Sequence, residues 1–194
     1  MSQDSPDHEA KADVADDSFV IRVNEHFSDI EKADWDRLSG TAPGSHPTSY
    51  NPFISHAFLS SLEESGSAIA GTGWLGQHLT LEDGEGRIAG ALPCYLKSHS
   101  KGEYVFDYGW ADAWERAGGR YYPKLQCSVP FTPATGRRLL VRRDLPATVQ
   151  DELAHALAQA MVTLGERLGV SSLHITFPTN DEWQKFGNLG LLQR

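Results

Sequence analysis

Residues 97–124 contain the residue types best suited to chemistry in this chain of 194 residues. They include seven aromatic and nine charged residues in twenty-eight positions, and their only branched aliphatic side chain is Val105. A core-forming strand or helix needs Leu, Ile or Val at a fixed period, which this segment does not supply. Aromatic side chains with polar tips beside charged groups are typical of wet pockets and interfaces. We therefore predict a loop that forms a site, with an aromatic-anchored structural loop as the alternative.

Three carboxylates of this segment, Asp107, Asp112 and Glu115, are the candidate catalytic residues. An amine has to lose a proton to attack an acyl group, and a positioned carboxylate can take that proton. Neighbouring Tyr and Trp side chains would desolvate such a carboxylate and raise its pKa to a useful value. The alternative for each acid is a structural ion pair with a nearby Lys or Arg.

Ten further side chains of the segment are candidates for binding a substrate. Tyrosine and tryptophan offer flat faces to a sugar or peptide, and Lys, Arg and His can pair with polar groups. The ten residues are Lys97, His99, Tyr108, Trp110, Trp114, Arg116, Arg120, Tyr121, Tyr122 and Lys124. The alternatives are an ordinary hydrogen-bonded loop histidine at His99 and tyrosines that anchor the loop to a sheet.

Four arginines, Arg137, Arg138, Arg142 and Arg143, bracket the short apolar run at residues 139–141. Guanidinium groups suit carboxylates and phosphates, so these side chains could clamp an anion. The alternative, which we favour, is that they end a short buried strand and extend their charges into water.

Several function classes lack their sequence signals. No two histidines show ligand spacing and no Cys or acidic cluster completes a site, so we predict no metal. The chain has no GxSxG, P-loop or Rossmann glycine pattern.

The net charge is −9, of which residues 1–17 (six acids, one lysine) account for −5, leaving −4 for the other 177 residues. A mildly acidic surface repels a phosphate backbone, so general nucleic-acid binding is not expected.

The expected location is the cytoplasm. No apolar run has the length that spans a bilayer, and the N-terminus lacks the pattern of a signal peptide. Cys94 and Cys127 are therefore expected to be reduced and buried. Residues 1–17 are acidic and poor in large apolar groups, which predicts a disordered tail before a domain at residues 18–194.

The order of predicted elements favours a mixed α/β sheet with helices packed on it. The elements are a strand at 19–23, helices at 28–40 and 55–65, a hairpin of strands 74–81 and 87–96, a strand at 138–141, a long helix N-capped by Thr148 and closed by Gly169, a strand at 173–177 and a helix at 181–186. A right-handed crossover around the long helix would make the strands at 138 and 172 parallel.

This order is similar to that of the GNAT acyltransferase fold, a three-layer α/β/α arrangement. The runs NPFISHAFLSSLEESGS, ALPCYLKSHSKGEYVFDYGWADAWERAGGRYYPKLQCSVPFTPATGRRLL and SSLHITFP resemble the bacterial FemAB-like N-acyltransferases, also described as a peptidoglycan biosynthesis/recognition family. The resemblance covers about residues 51–194. Because members of that family are about twice as long and pair two GNAT-like halves, it implies that this chain corresponds to the N-terminal half.

The resemblance implies transfer of an acyl or aminoacyl group to an amine on a small molecule, peptide or glycan, including cell-wall precursors. It implies acyl-CoA or aminoacyl-tRNA as co-substrate, no permanently bound cofactor, and a C-terminal half as partner. The turn at residues 142–147, which matches the phosphate-binding turn of GNAT enzymes, has no glycine, and it contains Asp144 and Pro146. These residues argue against acyl-CoA binding there. The alternatives are a non-catalytic peptide or glycan recognition module and a structural half-domain.

Overall fold

The computed structural model describes residues 19–44 and 50–194. The predicted acidic tail at residues 1–17 lies outside these residues. The strands are β1 (Val20–Asn24), β2 (Trp74–Gly76), β3 (His78–Glu82), β4 (Ile88–Leu92), β5 (Tyr95–Lys97), β6 (Lys124–Cys127), β7 (Leu140–Val141) and β8 (Leu173–Ile175). The α-helices are α1 (Lys32–Ser39), α2 (His56–Glu64), α3 (Tyr108–Arg116), α4 (Ala147–Leu168) and α5 (Asn180–Asn188).

The strands form two four-stranded sheets, in the orders β1-β3-β4-β7 and β2-β5-β6-β8. The predicted hairpin is confirmed as β3 and β4, whose turn is held by Asp83 through hydrogen bonds from the backbone of Glu85 and Arg87. Each arm of the hairpin continues into the second sheet, where β2 pairs with β5. The parallel partner of β8 is β6 and not the strand predicted at residue 138, because β7 pairs with β4 in the first sheet.

Helices cover both faces of the first sheet, which confirms the predicted three-layer α/β/α class. On one face α4 buries Leu157 and Met161 against β3 and β4. On the other face Trp35 of α1 and Leu59 of α2 belong to a second buried cluster. Each such side chain contributes about 1.5–3 kcal/mol when removed from water, so the two layers hold the sheet between them.

The prediction that residues 97–124 lack regular structure is wrong at two places. Residues 108–116 form α3, and Lys124 begins β6. Only Ala111 of α3 is buried, so this helix lies on the surface and needs no stripe of Leu, Ile or Val. The scarcity of aliphatic residues at 108–116 therefore reflects an exposed helix and not a loop.

The long helix begins earlier than predicted. Its N-cap is Pro146 and not Thr148, and Ala147 is its first residue. Proline has a fixed φ that suits the start of a helix and no N–H that would need a partner there. Gly169 closes the helix in the left-handed conformation (φ 60°), as predicted.

Candidate functional site

A cleft of about 700 Å³ runs along β8. One wall consists of Phe106, which precedes α3, and Trp110 within α3, and Tyr121 also lines the cleft. The other wall is formed by α5 and the residues after it, including Trp183 and Leu192. Phe106, Trp110 and Leu192 are 86%, 67% and 78% exposed, so the mouth of the cleft presents apolar groups to solvent. Exposed apolar groups gathered around a concavity are typical of binding sites.

The end of β8 carries an uncommon backbone conformation. Phe177, which lines the cleft, has a φ of 52°, a left-handed value that is rare for a bulky residue. Such conformations cost of order 1–3 kcal/mol and are found preferentially at functional sites. Here the turn lets the Phe177 carbonyl accept a hydrogen bond from the Gly136 N–H.

Asp107 is the carboxylate that lines this cleft. Its Oδ2 accepts hydrogen bonds from Lys124 Nζ at 2.7 Å and from the Tyr121 hydroxyl at 2.9 Å. Its Oδ1 is buried and has no hydrogen-bond partner among residues 19–44 and 50–194. A buried carboxylate oxygen without a donor is costly, and this one lies inside the fold and not on the surface of the cleft.

The predicted rise in the pKa of Asp107 is wrong. Burial alone would raise this pKa, but the hydrogen bonds from Lys124, Ser100 and Tyr121 and the Lys124 charge hold it below its usual value. Asp107 is therefore ionised at neutral pH. It can bind an ammonium or amine group, while its low basicity makes it a weak proton acceptor.

Lys124 joins Asp107 to a second buried acid, Glu103. Lys124 Nζ lies 2.8 Å from Glu103 Oε2 and donates to Ser100 Oγ at 2.8 Å, and Ser100 shares a further hydrogen bond with the Tyr122 hydroxyl. Burial raises the pKa of Glu103 in spite of the Lys124 charge. The acid with a raised pKa is thus Glu103, which sequence reasoning missed, and it lies behind Asp107 outside the cleft lining.

A second buried lysine, Lys97, lies directly opposite Lys124 in the pairing of β5 with β6. Both side chains are fully buried. Lys97 Nζ donates to the Lys101 carbonyl at 3.3 Å and lies 3.3 Å from the centre of the Trp74 ring. Burial, reinforced by the Lys124 charge and opposed by Glu103, lowers the pKa of Lys97 to about 7.

The depressed pKa of Lys97 predicts a pH dependence of stability. Between pH 7 and the unfolded pKa of about 10.4 the unfolded chain binds the extra proton, so the free energy of unfolding rises with pH. The range from about pH 7.5 to 8.5 is dominated by this group, because the lowered pKa values of His78, His99 and His174 add to the slope nearer pH 7, while burial raises the pKa of the Cys94 and Cys127 thiols, which oppose it above about 8.5. We expect a slope of up to about 1.4 kcal/mol per pH unit in urea unfolding. The variant Lys97→Met should lose that slope, and an equal slope in both proteins would contradict the assignment.

His174 projects from β8 toward Tyr121, with ring centres 6.5 Å apart, and lines the cleft. Burial and the Lys124 charge lower its pKa to about 4, so the imidazole is neutral at physiological pH. Its Nε2 lies 2.8 Å from Ser172 Oγ. Sequence reasoning missed His174 as a site residue, although its phase in the strand, opposite to Leu173 and Ile175, was a usable signal.

The structure does not bring the three candidate catalytic acids together. Asp112 and Glu115 lie exposed on α3, and Asp112 pairs with Arg116 at 2.6 Å. Neither acid lines the cleft that contains Asp107. The catalytic role of each acid stays a prediction.

The ten candidate binding residues separate into groups. Trp110 and Tyr121 line the cleft, and Lys97, Tyr122 and Lys124 belong to the charged cluster behind it. The residues on or after α3 that point to solvent are Tyr108, Trp114, Arg116 and Arg120, the last of which donates to the Gly169 carbonyl. His99 lies in a separate shallow hollow beside Thr72 and Phe131. Their roles in binding stay predictions.

The arginines near β7 are used within the fold. The Arg138 guanidinium, fully buried, donates to the carbonyls of Thr176, Gly136 and Ala134, which contradicts the favoured prediction that it reaches water. Arg137 donates to the Leu38 carbonyl. Several carbonyl acceptors offset the burial of each charge, three for Arg137 and four for Arg138.

The turn before α4 contains a bidentate ion pair between Arg142 and Asp144, at 3.1 and 2.6 Å. The Gln150 side chain donates to the carbonyls of Arg143 and Leu145. These contacts engage the Arg142 guanidinium and two carbonyls of the turn.

Two kinds of feature are absent from residues 19–44 and 50–194. No group of three or more His, Cys, Asp and Glu side chains is placed to hold a metal ion. None of the helices there is both long and apolar enough to cross a membrane.

Known proteins similar to this chain add evidence on fold and family. The model of the FemAB-like family, described as peptidoglycan biosynthesis/recognition, matches residues 26–194. A crystal structure of a Trypanosoma brucei acetyltransferase is similar with a TM-score of 0.50 and 15% identity, over 91% of this chain and 94% of that one. A variant of protein BH1408 from Bacillus halodurans has a TM-score of 0.47 and 11% identity, over 90% and 94% of the two chains. No curated protein sequence matches. The acetyltransferase likeness confirms the predicted GNAT-like fold and carries no conclusion about activity.

Proposed function

The chain belongs to the FemAB-like family of peptidoglycan biosynthesis/recognition proteins, and from this premise we propose that it is an N-acyltransferase domain whose cleft along β8 binds the amine acceptor. The observation that carries the proposal is Asp107, an ionised carboxylate that lines an aromatic cleft. An amine or ammonium group would be attracted to its negative charge. Trp110, Tyr121 and Trp183 offer flat apolar faces to the remainder of the acceptor.

In the proposed reaction an ammonium acceptor first gives one proton to water, and the neutral amine nitrogen then forms an amide bond to the acyl carbon of the donor. The bond from that carbon to the donor's leaving sulfur or oxygen breaks, and one N–H proton passes to the leaving group. Asp107 would orient the amine, since a positioned hydrogen bond aligns the attacking lone pair. His174 would stay neutral and accept or donate a hydrogen bond within the cleft without adding a positive charge beside the amine.

The acyl donor would be acyl-CoA or aminoacyl-tRNA. The turn before α4 places the negative charge of Asp144 and a proline without an N–H, Pro146, where GNAT enzymes bind the phosphate. This observation favours a second candidate function, a recognition module that binds the acceptor without transferring an acyl group. Because the same cleft would serve both functions, a measurement of acyl transfer is needed to distinguish the transferase from the recognition module. We place either function in the cytoplasm.

The test uses a peptidoglycan stem peptide that carries a free lysine ε-amine, with acetyl-CoA or aminoacyl-tRNA as donor. We expect an acylated product in mass spectrometry, and a fall in kcat/KM of about 10-fold or more in Trp110→Ala, since truncating a central interface Trp typically has this effect. Trp114→Ala is the matched control, because this exposed residue of the same helix does not line the cleft. Equal losses in both variants would contradict the placement of the acceptor. Peptide binding without product from either donor would establish the recognition module.

A further inference from the structure

The segment that carries α3 has no share in the apolar core. This segment, residues 103–119, is called the strap below. Its buried residues are Glu103, Asp107 and Ala111, two acids and a small side chain. None of the three buried apolar clusters formed by residues 19–44 and 50–194 includes a strap residue. Because apolar burial supplies most of the free energy that holds elements together, a segment without it has low local stability.

The polar attachment of the strap converges on one side chain. Lys124 Nζ lies 2.8 Å from Glu103 Oε2 and 2.7 Å from Asp107 Oδ2. The Tyr121 hydroxyl adds a hydrogen bond to the same Asp107 oxygen. Within the described part of the chain, the backbone hydrogen bonds of the strap all stay inside it. Lys124 is therefore the group that fastens the strap to the sheet.

Both ends of the strap have backbone conformations suited to a hinge. Gly102 (φ 82°) and Gly118 (φ 83°) are left-handed, a region in which glycine has no side chain to clash. Tyr104 (φ 56°) is also left-handed, which is strained for a bulky residue and would relax on release. A further contact, Arg194 over the Trp110 ring at 5.7 Å, joins two exposed side chains and contributes little. Loss of the Lys124 contacts would thus free the strap to turn about its ends.

The buried acids of the strap are incompletely bonded in the closed form. Glu103 Oε1 and Asp107 Oδ1 have no hydrogen-bond partner among the residues that the structure describes. Both atoms would be hydrated once the strap lifts, so opening supplies hydrogen bonds that the protein itself does not. This gain lowers the free energy of opening compared with that of lifting an apolar cover.

We propose that the strap opens and closes as one unit on the body of the domain, with Lys124 as its latch, and so opens and closes one wall of the cleft. Phe106, Asp107 and Trp110 belong both to the strap and to the lining of the cleft, so this wall moves with the strap. The opposite wall, on α5, stays with the body. The inference holds whether the cleft transfers an acyl group or only binds the acceptor.

The test combines amide hydrogen exchange with acetylation of Lys124 by N-hydroxysuccinimidyl acetate, both followed by mass spectrometry. The Lys124 side chain is fully buried, so the reagent reaches it only when the strap lifts. A released α3 has nine residues, too few for a stable isolated helix, so its amides would then exchange. We expect them to exchange at least about 100-fold faster than the amides of Leu157 and Met161 in α4. Lys124 should become acetylated while those α4 amides stay protected.

Three variants assign the latch. Glu103→Gln removes one ion pair of Lys124 outside the cleft lining, and it should speed both α3 exchange and Lys124 acetylation about 10-fold. Asp112→Asn, which removes an exposed pair with Arg116 inside the strap, is the matched control and should change both less than about 2-fold. Ala158→Gly, in the buried face of α4, should speed exchange of the α4 amides about 5-fold and leave α3 exchange unchanged.

Exchange of α3 no faster than that of Leu157 and Met161 would overturn the inference, since the strap would then open only with global unfolding. Rapid exchange of α3 while Lys124 stays unacetylated would also overturn it, because the helix would then fray under a closed strap. Equal effects of Glu103→Gln and Asp112→Asn would show that Lys124 is not the latch. Acyl transfer to the stem peptide is measured separately, so these outcomes leave the proposed function untouched.

Discussion

Replacing Lys124 with Met is expected to destabilise the fold by about 3–5 kcal/mol, the usual cost of leaving buried charges without their partner. Lys124 Nζ is the cation that contacts both Glu103 and Asp107, whose residues are 2% and 5% exposed. Its removal leaves two acids that must either stay charged without a counter-ion or take up protons. Urea unfolding followed by circular dichroism would measure the loss.

Lys97→Met is the matched variant, because Lys97 faces Lys124 across the same strand pair and is equally buried. Its ammonium has only a carbonyl and the Trp74 ring as close partners, so we expect no loss or a gain of up to about 1 kcal/mol above pH 7. Lys101→Met, at an exposed position of the same loop, controls for the loss of one positive charge. Losses of similar size in Lys97→Met and Lys124→Met would contradict the description of Lys124 as the paired lysine.

Asp107→Asn is expected to weaken binding of an amine-bearing acceptor by about 10- to 100-fold, since a hydrogen bond to a charged group contributes about 1.5–3 kcal/mol. The test compares a lysine stem peptide with the same peptide acetylated at its ε-nitrogen. The loss should be confined to the free amine, because the acetylated nitrogen carries no charge for Asp107 to bind. Asn retains the size of the side chain and Glu103 still pairs with Lys124, so we expect the variant to fold with a stability loss of about 1–2 kcal/mol.

Asp112→Asn is the control for this experiment. Asp112 has the same chemistry and lies on α3 close in sequence, but it pairs with Arg116 in solvent. Its replacement should change the affinity for either peptide less than about 3-fold, as exposed ion pairs contribute little. A similar loss for the free and acetylated peptides in Asp107→Asn would show that Asp107 acts through the loop's stability and not through the amine.

The elements predicted correctly are those that short stretches of sequence define. The hairpin follows from alternation around Asp83–Gly86, and the core face of α4 from apolar residues three and four apart that end at Gly169. By contrast, α3 escaped prediction because only Ala111 is buried in it, and periodicity reports burial rather than helicity. The strand β6 was missed because Lys124 and Gln126 are polar yet fully buried.

The electrostatics of the site depend on strand register, which sequence does not reveal. Asp107 lies 17 residues from Lys124, and the position of β6 next to β5 brings the two together. That contact reverses the predicted direction of the Asp107 pKa. Burial raises the pKa of Glu103, a residue that composition did not distinguish from the other acids of the segment. His174 was accessible to sequence reasoning, since its strand phase separates it from Leu173 and Ile175.

The measurement that tests the central claim most directly is a map of amide chemical shifts in the ¹⁵N-labelled protein during titration with the lysine stem peptide. If the cleft along β8 is the acceptor site, the perturbed amides should be those of residues 105–110, 121, 172–178 and 183–194. The shifts should saturate together and be lost in Asp107→Asn. Perturbation centred instead on residues 142–147 or on the hollow beside His99, or no saturable perturbation at all, would contradict the account.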